Sequence, residues 1–323
     1  MTKINFKSNK TKSIIAAILV IGLLTVGPNI YSAYAATYQS EFGSSGSGNG
    51  QFDLPIGITI DGSTNSYVVD MNNNRVEKFD STGTYQSQFG SSGSGNGQFD
   101  FPRGITFDGT NLWITDTGND RVEEFSISGS YQSQFGSSGT GNGQLSSPNG
   151  IAIASSKVWV ADAGNNRIEE FDTLGNYVAK YTSINGASFR SPQDVAIDGS
   201  GNIWISDTNN NRVVEMSSTG TYKTQFPCSS GACSASGNNG SFSGPQGLAF
   251  DTNGNLWVVD KNNDRVEEFN SSGVYQTQIG CGTGSCSGGS GSGAFDNPAG
   301  VALDANNKIY VTDESNDLVQ VFQ

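Results

Sequence analysis

Short apolar segments separated by clusters of turn-forming residues run through the chain from residue 37 onward. Segments such as Gly104 to Phe107 and Leu256 to Val259 are rich in β-branched and aromatic side chains, and clusters of Gly, Asn, Asp and Ser bound them. This pattern is typical of short β-strands. No segment after residue 36 carries apolar residues at the three- and four-residue spacing of an amphipathic helix. The sequence therefore predicts an all-β fold.

The pattern of strands recurs six times along the chain. Six prolines mark equivalent positions at spacings of 47, 46, 44, 53 and 53 residues: Pro55, Pro102, Pro148, Pro192, Pro245 and Pro298. Each unit holds enough apolar runs for four short strands. Four-stranded units with a period near 45 residues are typical of propeller blades, which pack face to face around a central channel. The sequence therefore predicts a six-bladed β-propeller of four-stranded blades.

The two ends of the repeat region complement each other. The sixth unit stops after its third strand, at Phe322, whereas the segment from Tyr38 to Gly43 (YQSEFG) matches fourth strands such as Tyr85 to Gly90 (YQSQFG). We therefore predict that the N-terminal strand completes the last blade. This pairing also removes a sheet edge that would otherwise invite association with another chain.

The first 36 residues have the features of a secretory signal peptide. Four lysines (Lys3, Lys7, Lys10 and Lys12) precede an apolar run from Ile14 to Val26, and Ala33-Tyr34-Ala35 forms a small-x-small cleavage site. The run is short for a membrane span of about 20 residues, so an uncleaved anchor is the alternative. The predicted organisation is a signal peptide at residues 1–36 and a propeller at 37–323. The expected location is secreted or on the cell surface, with no membrane span after cleavage.

The charge and the absence of histidine exclude several functions. The chain has 17 basic and 30 acidic residues, and removing the four signal lysines changes its net charge from −13 to −17. Phosphate backbones need a basic surface, so no nucleic-acid partner is expected. Because the chain has no histidine, it cannot build a Ser-His-Asp relay or a His-ligated zinc or iron site.

The repeat resembles the NHL family. The resemblance rests on segments such as Phe89 to Asp108 (FGSSGSGNGQFDFPRGITFD) and Leu112 to Val122 (LWITDTGNDRV), and it extends over residues 37–323. It implies a six-bladed propeller. It also implies a range of functions, because members of the family serve as protein-binding modules, RNA readers, extracellular sensors and a zinc-dependent lyase. The RNA and zinc roles do not transfer, since this chain lacks the basic rim and the metal-binding histidines.

Four cysteines lie in the connections before the fifth and sixth units. They form two pairs of equal spacing, Cys228 with Cys233 and Cys281 with Cys286. In an exported chain this arrangement predicts two local disulfides, although three connectivities are open. A metal site made by all four thiolates is the alternative.

Repeated polar residues are interpreted as structural, since a catalytic group is needed once and not in every blade. An Asp ends each second strand, and in five units an Arg follows five residues later, with Leu318 in the sixth. We expect the Asp to accept loop N–H groups and the Arg to tie the loop to the sheet.

Third strands carry glutamates, which we expect on a solvated outer edge: Glu77, Glu123, Glu124, Glu169, Glu170, Glu215, Glu267 and Glu268. Glycine triplets such as Gly46, Gly48 and Gly50 are expected in blade connections that need positive φ.

Non-repeated residues indicate where a ligand would bind. In an up-and-down blade, the loop between strands 2 and 3 and the connection between blades share one face, and here those are the long loops. The residues after the repeated prolines should ring the channel mouth on that face: Ile56, Arg103, Asn149, Gln193, Gln246 and Ala299. Asp194 alone replaces the glycine that follows. The candidate binding residues are Arg103, Asn149, Gln193, Asp194 and Gln246; no catalytic residue, metal site or cofactor is predicted.

The first functional hypothesis is a monomeric, non-enzymatic binding or scaffold module for a protein or glycan at the cell surface. Two glycosylation sequons, at Asn239 and Asn270, agree with export. The alternative is a cation-dependent hydrolase or lyase of the six-bladed lactonase type, with calcium as its cofactor and Asp194 as its candidate carboxylate. A structural component of the envelope is a third hypothesis.

Overall fold

The computed structural model describes residues 36–280 and 288–323, which form six antiparallel four-stranded sheets. The prediction of an all-β, six-bladed propeller is confirmed. All but the last residue of the predicted signal peptide lies outside the described residues, as do Cys281 and Cys286. No helix in the described ranges is long and apolar enough to cross a membrane.

Each blade is a meander whose first strand is innermost and whose fourth is outermost. Blade 1 contains β2 (Pro55–Ile60), β3 (Ser66–Asp70), β4 (Arg75–Phe79) and β5 (Tyr85–Phe89). Blade 2 contains β6 (Ile105–Phe107), β7 (Asn111–Asp116), β8 (Arg121–Ser126) and β9 (Tyr131–Phe135). Blade 3 contains β10 (Pro148–Ala154), β11 (Lys157–Asp162), β12 (Arg167–Asp172) and β13 (Tyr177–Tyr181).

The remaining blades follow the same order, with one added hairpin before blade 4. That hairpin is formed by β14 (Ser183–Ile184) and β15 (Ala187–Ser188). Blade 4 contains β16 (Asp194–Ile197), β17 (Ile203–Asp207), β18 (Arg212–Met216) and β19 (Tyr222–Phe226). Blade 5 contains β20 (Pro245–Phe250), β21 (Leu256–Asp260), β22 (Arg265–Phe269) and β23 (Tyr275–Ile279). Blade 6 contains β24 (Pro298–Leu303), β25 (Ile309–Asp313), β26 (Leu318–Phe322) and β1 (Tyr38–Phe42).

Short 3₁₀ turns follow the second strand of blades 2 to 6. They span Thr117–Asn119, Ala163–Asn165, Thr208–Asn210, Lys261–Asn263 and Glu314–Asn316. Each ends at an Asn or Asp in the left-handed conformation, for example Asp120 at φ 54°. Asn and Asp tolerate this conformation better than most residues.

The N-terminal strand closes the ring as predicted. Strand β1 pairs with β26 in antiparallel register, with Phe42 opposite Val319. Beyond the strand, the backbone N–H of Thr37 donates to the carbonyl oxygen of Gln323 at 2.8 Å, and that of Gln323 donates back at 3.0 Å. The last blade is therefore built from both ends of the described chain.

The hydrophobic core lies between neighbouring blades. Tyr67 and Val69 of blade 1, for example, pack in one cluster with Leu112 and Phe125 of blade 2. Each sheet is covered on both faces, and second strands therefore read as continuous apolar runs instead of alternating ones. Burial of these side chains is the main favourable contribution to blade packing.

Six links, each a hydrogen bond from a backbone N–H to a side-chain oxygen, join adjacent blades on the long-loop face. In each, the left-handed Asn or Asp after the second strand accepts the N–H of the residue before the next blade's proline. Asn74 accepts from Phe101 at 2.8 Å, and Asp317 of blade 6 accepts from Leu54 of blade 1 at 3.0 Å. The other four links are Asp120 with Ser147, Asn166 with Ser191, Asn211 with Gly244, and Asp264 with Asn297. The sequence analysis did not identify these links.

The repeated Asp and Arg form a buried ion pair in five blades. In blade 2, Arg121 Nε donates to Asp116 Oδ2 at 2.7 Å, and Asp116 Oδ1 accepts the backbone N–H of Asp100 at the same distance. The guanidinium also donates to carbonyl oxygens of the preceding connection, including those of Ser94 and Gly95. The expected tie between loop and sheet is present. The Asp differs from the expectation in one detail. The backbone N–H that it accepts belongs to the blade connection, and its own loop contributes the side-chain amide of Asn119 instead.

The expectation that third-strand glutamates lie on a solvated outer edge is wrong for most of them. Glu77, Glu123, Glu169 and Glu267 have no exposed surface. In blade 2, Glu123 Oε1 lies 3.1 Å from Arg121 Nη2 and accepts the N–H of Gly97 at 3.3 Å. The third strand lies between the second and fourth, and the Gly/Ser connection that precedes the blade covers its glutamate. Burial raises the pKa of Glu123 to about 7, against the opposing effect of Arg121.

In blade 6, uncharged residues replace both the Arg that pairs with the buried Asp and the Glu that contacts that Arg. Leu318 stands where the other blades have Arg, and Gln320 stands where blade 2 has Glu123. Gln320 Nε2 donates to Asp313 Oδ2 at 2.8 Å, and Gln320 Oε1 accepts the N–H of Gly293 at 2.8 Å. One neutral amide therefore provides both the donor of the Arg and the acceptor of the Glu.

Candidate functional site

The innermost strands of the six blades enclose a central cavity of about 350 Å³. Its lining includes all six residues that follow the repeated prolines: Ile56, Arg103, Asn149, Gln193, Gln246 and Ala299. Asp194 lines it as well. The structure thus brings the five candidate residues together in one cavity, as the spacing after each proline predicted. Whether they bind a ligand stays a prediction.

Glycine at the next position lets neighbouring inner strands approach closely. A Cβ added to Gly57 would lie 2.2 Å from the carbonyl oxygen of Arg103, and one added to Gly104 would lie 2.2 Å from that of Asn149. Contacts this short do not occur between a side chain and a backbone. The glycines therefore fix the width of the channel, and any other residue there must change the contact between blades.

Hydroxyl groups of two second strands connect the channel wall across blades. Thr115 Oγ1 donates to the carbonyl oxygen of Asn149 at 2.6 Å, and Thr312 Oγ1 donates to that of Ile56 at 2.6 Å. Arg103 belongs to the same network, because its backbone N–H donates to the carbonyl oxygen of Thr115 at 3.1 Å. The backbones of Arg103 and Asn149 are therefore held side by side at the mouth.

Asp194 is a structural link between blades 4 and 5. Its Oδ2 accepts the N–H of Leu248 at 2.8 Å, and its Oδ1 accepts the N–H of Val195 at 2.8 Å. Burial raises the pKa of Asp194 to about 7, although both backbone N–H groups oppose this shift. Both carboxylate oxygens already have partners in the wall. Within residues 36–280 and 288–323, no group of three or more Asp, Glu or Cys side chains is placed to hold a metal ion.

Arg103 carries a cation into the cavity without a hydrogen-bonding partner. Its half-buried guanidinium makes no hydrogen bond or ion pair within the described part of the chain. Burial lowers the pKa of Arg103, and the charge of Glu314 opposes that effect. Glu314 itself forms an ion pair with Lys261. Arg103, Lys261 and Glu314 stand at repeat positions where most other blades have uncharged residues. The charge at the mouth is therefore confined to one part of the ring.

Amide side chains provide the remaining polar groups of the mouth. Asn149 is 8% exposed, and its Oδ1 atom is buried without a hydrogen-bond partner. Gln193 Nε2 donates to Ser191 Oγ at 3.0 Å, which leaves the Gln193 carbonyl oxygen for other contacts. An amide offers both donors and acceptors, so this part of the cavity suits a ligand with hydroxyl groups.

One of the two predicted disulfides lies in the described residues. Cys228 and Cys233 are bonded, with their Cα atoms 5.7 Å apart. The loop they close contacts blade 4, where the carbonyl oxygen of Gly231 accepts from Arg212 Nη1 at 3.0 Å. In other blades the preceding Gly/Ser connection supplies such carbonyls, but the β14–β15 hairpin replaces it before blade 4. The disulfide loop therefore supplies one carbonyl contact to Arg212, whose Nη2 has no hydrogen-bond partner among the described residues. The predicted Cys281–Cys286 pair is outside the described residues.

Comparisons with known proteins agree with the repeat. The family model of the NHL repeat matches residues 189–215, 242–269 and 295–322, which correspond to blades 4, 5 and 6. No curated protein matches the chain.

Solved structures with the same fold include enzymes and binding proteins. A streptogramin B lyase has a TM-score of 0.62 at 15% identity, with 88% of this chain and 97% of that one covered. A protein of unknown function from Bacteroides thetaiotaomicron has a TM-score of 0.67 at 17% identity, with coverages of 89% and 75%. An auxiliary nutrient binding protein from the same organism has a TM-score of 0.62 at 15% identity, with coverages of 84% and 69%. At these identities the likeness shows the fold alone. The three repeat matches and the six four-stranded blades support an NHL-repeat six-bladed β-propeller.

Proposed function

We propose that this propeller is an exported binding module that recognises a protein or glycan through the channel mouth on its long-loop face. The observation that carries the proposal is the contrast between positions of one ring. The glycine, Asp and Arg positions that hold blades together repeat around the propeller. The residue after the proline, in contrast, is Ile, Arg, Asn, Gln, Gln and Ala in blades 1 to 6. Packing alone gives no reason for Arg103, Asn149 and Gln193 to differ.

The geometry favours binding over catalysis at this mouth. Asp194, the single carboxylate that departs from the repeat on the inner strands, has both oxygens engaged by backbone N–H groups. These two contacts tie the carboxylate to the wall between blades 4 and 5 and give Asp194 a structural role. The other polar side chains of the mouth are a guanidinium and amides, whose donors and acceptors recognise ligands by hydrogen bonding.

Export is part of the proposal and is supported by the N-terminal sequence and by the cysteines. The lysines, apolar run and small-x-small site suit a cleaved signal, and the Cys228–Cys233 bond suits an oxidising compartment. Recovery of the protein from the medium or cell surface, beginning near Ala36, is the expected result. Retention of the full-length chain inside the cell would contradict it.

A glycan and surface-protein array tests the function. The double variant Gln193→Ala/Gln246→Ala removes two amides from the mouth and should lower binding to any ligand found at least tenfold. The matched control, Gln86→Ala/Gln132→Ala, removes two amides from the exposed outer strands and should leave binding unchanged. Equal binding by both double variants would place the ligand elsewhere. A rise in melting temperature with calcium, reversed by EDTA, would instead favour the cation-dependent enzyme.

A further inference from the structure

Arg103 differs from the other six arginines of the chain in its surroundings. Five of its seven arginines belong to the repeated network, and each forms a buried ion pair with the Asp five residues before it. Arg190 is exposed. Arg103 is the exception, since it is half-buried at the channel mouth and has no bonded carboxylate among the described residues. A partly desolvated guanidinium gains most from a ligand that replaces the lost hydration with charge-assisted hydrogen bonds.

A second unpaired group lies beside Arg103. Asn149 Oδ1 is buried and has no hydrogen-bond partner within residues 36–280 and 288–323, and the Asn149 side chain lines the same cavity. The link through Thr115 holds the two residues in adjacent blades. A buried polar atom without a partner costs free energy, so its position in a cavity wall points to a ligand. The guanidinium suits an anion, and the amide oxygen needs a hydrogen-bond donor such as a hydroxyl group. Together they define one corner of the mouth that suits a ligand with both groups.

The charges around this corner favour a ligand with a single negative charge, because Arg103, Lys261 and Glu314 together carry a net charge of +1 and the Asp194 carboxyl lines the same cavity. Glu314 is already paired with Lys261, so Arg103 retains one uncompensated positive charge. The protein as a whole is strongly acidic, with 30 acidic against 17 basic residues. Such a surface repels polyanions at long range but leaves a local cationic site for a monoanion. A cavity of about 350 Å³ is at the small end of ligand pockets, which accommodates one compact unit.

We propose that the channel mouth binds the carboxylate of an acidic sugar unit, with Arg103 pairing the carboxylate and the amides of Asn149, Gln193 and Gln246 contacting its hydroxyl groups. This inference rests on the proposed binding function and narrows it to a ligand class. A guanidinium binds a carboxylate through two parallel N–H···O bonds. The planar amides supply the mixed donors and acceptors that neighbouring hydroxyl groups require.

Calorimetric titration of the protein with glucuronate and galacturonate tests the proposal. The wild-type protein should bind at least one of them, and the affinity should fall as ionic strength rises. The methyl ester of the same sugar lacks the charge and should bind at least tenfold more weakly. This comparison needs no variant, so it does not depend on the folding of a mutant. Equal binding of acid and ester, or binding of neither acid, would overturn the proposal.

Matched arginine variants locate the site. Arg103→Gln should weaken binding of the acid at least tenfold, whereas Arg190→Gln, which removes an equal charge from an exposed site on the same face, should leave it unchanged. Arg103→Lys keeps the charge without the paired N–H groups and should give intermediate binding. Wild-type affinity in Arg103→Gln would overturn the assignment. Tighter binding of a sugar phosphate than of the uronate would also overturn it.

Two further comparisons distinguish a glycan end from a free sugar as the ligand, and a failure of this inference from a failure of the proposed function. An oligosaccharide whose one charged unit is a terminal uronate should bind at least as tightly as the free acid if the ligand is a glycan end, and more weakly if it is the free sugar. A neutral glycan or a protein that binds in a manner sensitive to Gln193→Ala/Gln246→Ala, with no uronate binding, would overturn this inference and leave the proposed function intact.

Discussion

Blades 2 and 6 reach the same four-stranded sheet with different connectivity and different buried polar groups. Blade 2 is continuous, from β6 to β9, and its buried Asp116 pairs with Arg121, which also contacts Glu123. Blade 6 joins β24, β25 and β26 to the N-terminal β1, and its buried Asp313 is satisfied by Gln320.

The comparison shows that the buried Asp at the end of the second strand requires correctly placed hydrogen-bond donors, and that these donors need not be charged. The Asp must accept one backbone N–H from the connection and one or more side-chain N–H groups. In blades 1, 2, 3 and 5 a second buried carboxylate accompanies the arginine. Blade 4 has Val214 at that position, and Arg212 Nη2 has no hydrogen-bond partner among the described residues. A glutamine supplies both donor and acceptor. The two exchanges in blade 6 are therefore coupled, because Arg→Leu with Glu retained would leave two buried carboxyl groups without a cation.

The largest expected effect comes from breaking the blade 2 pair. Arg121→Leu leaves Asp116 and Glu123 buried without their cation and should lower the free energy of unfolding by about 3–5 kcal/mol. The double variant Arg121→Leu/Glu123→Gln reproduces the blade 6 pair and should recover more than half of that loss. Urea denaturation of both variants measures the difference. If the double variant is no more stable than the single one, the two exchanges are not coupled.

A smaller effect should follow from opening blade 6. Deleting residues 37–43 removes β1, exposes the edge of β26 and removes the contact between Phe42 and Phe79, whose ring centroids lie 4.7 Å apart. The melting temperature should fall by several degrees. A peptide with the sequence of residues 37–43 should restore part of the loss, and a scrambled peptide should not. An unchanged melting temperature in the deleted protein would contradict closure by the N-terminal strand.

The smallest effect concerns pH, and it distinguishes blades with a buried Glu from blade 6. Burial raises the pKa of Glu77, Glu123 and Glu169 to about 7 and that of Glu267 to about 8. Between pH 4.5 and 7 the folded protein therefore binds more protons than the unfolded chain. The free energy of unfolding should consequently fall as pH rises through this range.

Replacing one of these glutamates sharpens the pH test. Glu123→Gln should reduce the slope of stability against pH, by up to about 1.4 kcal/mol per pH unit for one proton. Glu41→Gln, at an exposed position on β1, should leave the slope unchanged. Urea denaturation between pH 5 and 8 measures both. A slope that is unaltered by Glu123→Gln would mean that this carboxyl group ionises normally in the folded protein.

Most of the fold could be predicted from the sequence because the repeat is almost complete in every blade. The six prolines gave the blade count, and the match between Tyr38 to Gly43 and the other fourth strands gave the closure. The glutamates were misplaced because strand order alone does not reveal what covers a strand. Glu123 is buried by a Gly/Ser connection that passes over it, as the bond from Gly97 shows, and composition describes such a connection only as flexible and polar.

The candidate site was predictable in position but not in the state of each residue. The rule that residues after the prolines line the channel placed Arg103 and Asn149 correctly. It could not show that Asp194 is engaged by Leu248, because that contact depends on how closely two inner strands approach. Nor could it show that Arg103 lacks a partner, since Glu314 and Lys261 come from a distant part of the sequence.

The six blade-to-blade links have a consequence for variation of the binding face. Each link uses the backbone N–H of the residue before the proline, so proline is excluded at that position. All six residues also adopt a left-handed φ, between 47° and 66°, which disfavours β-branched side chains. Within these two limits the positions already hold five residue types: Leu54, Phe101, Ser147, Ser191, Gly244 and Asn297. Varying them among residues that tolerate the left-handed conformation would change the long-loop face and leave the contacts between blades in place.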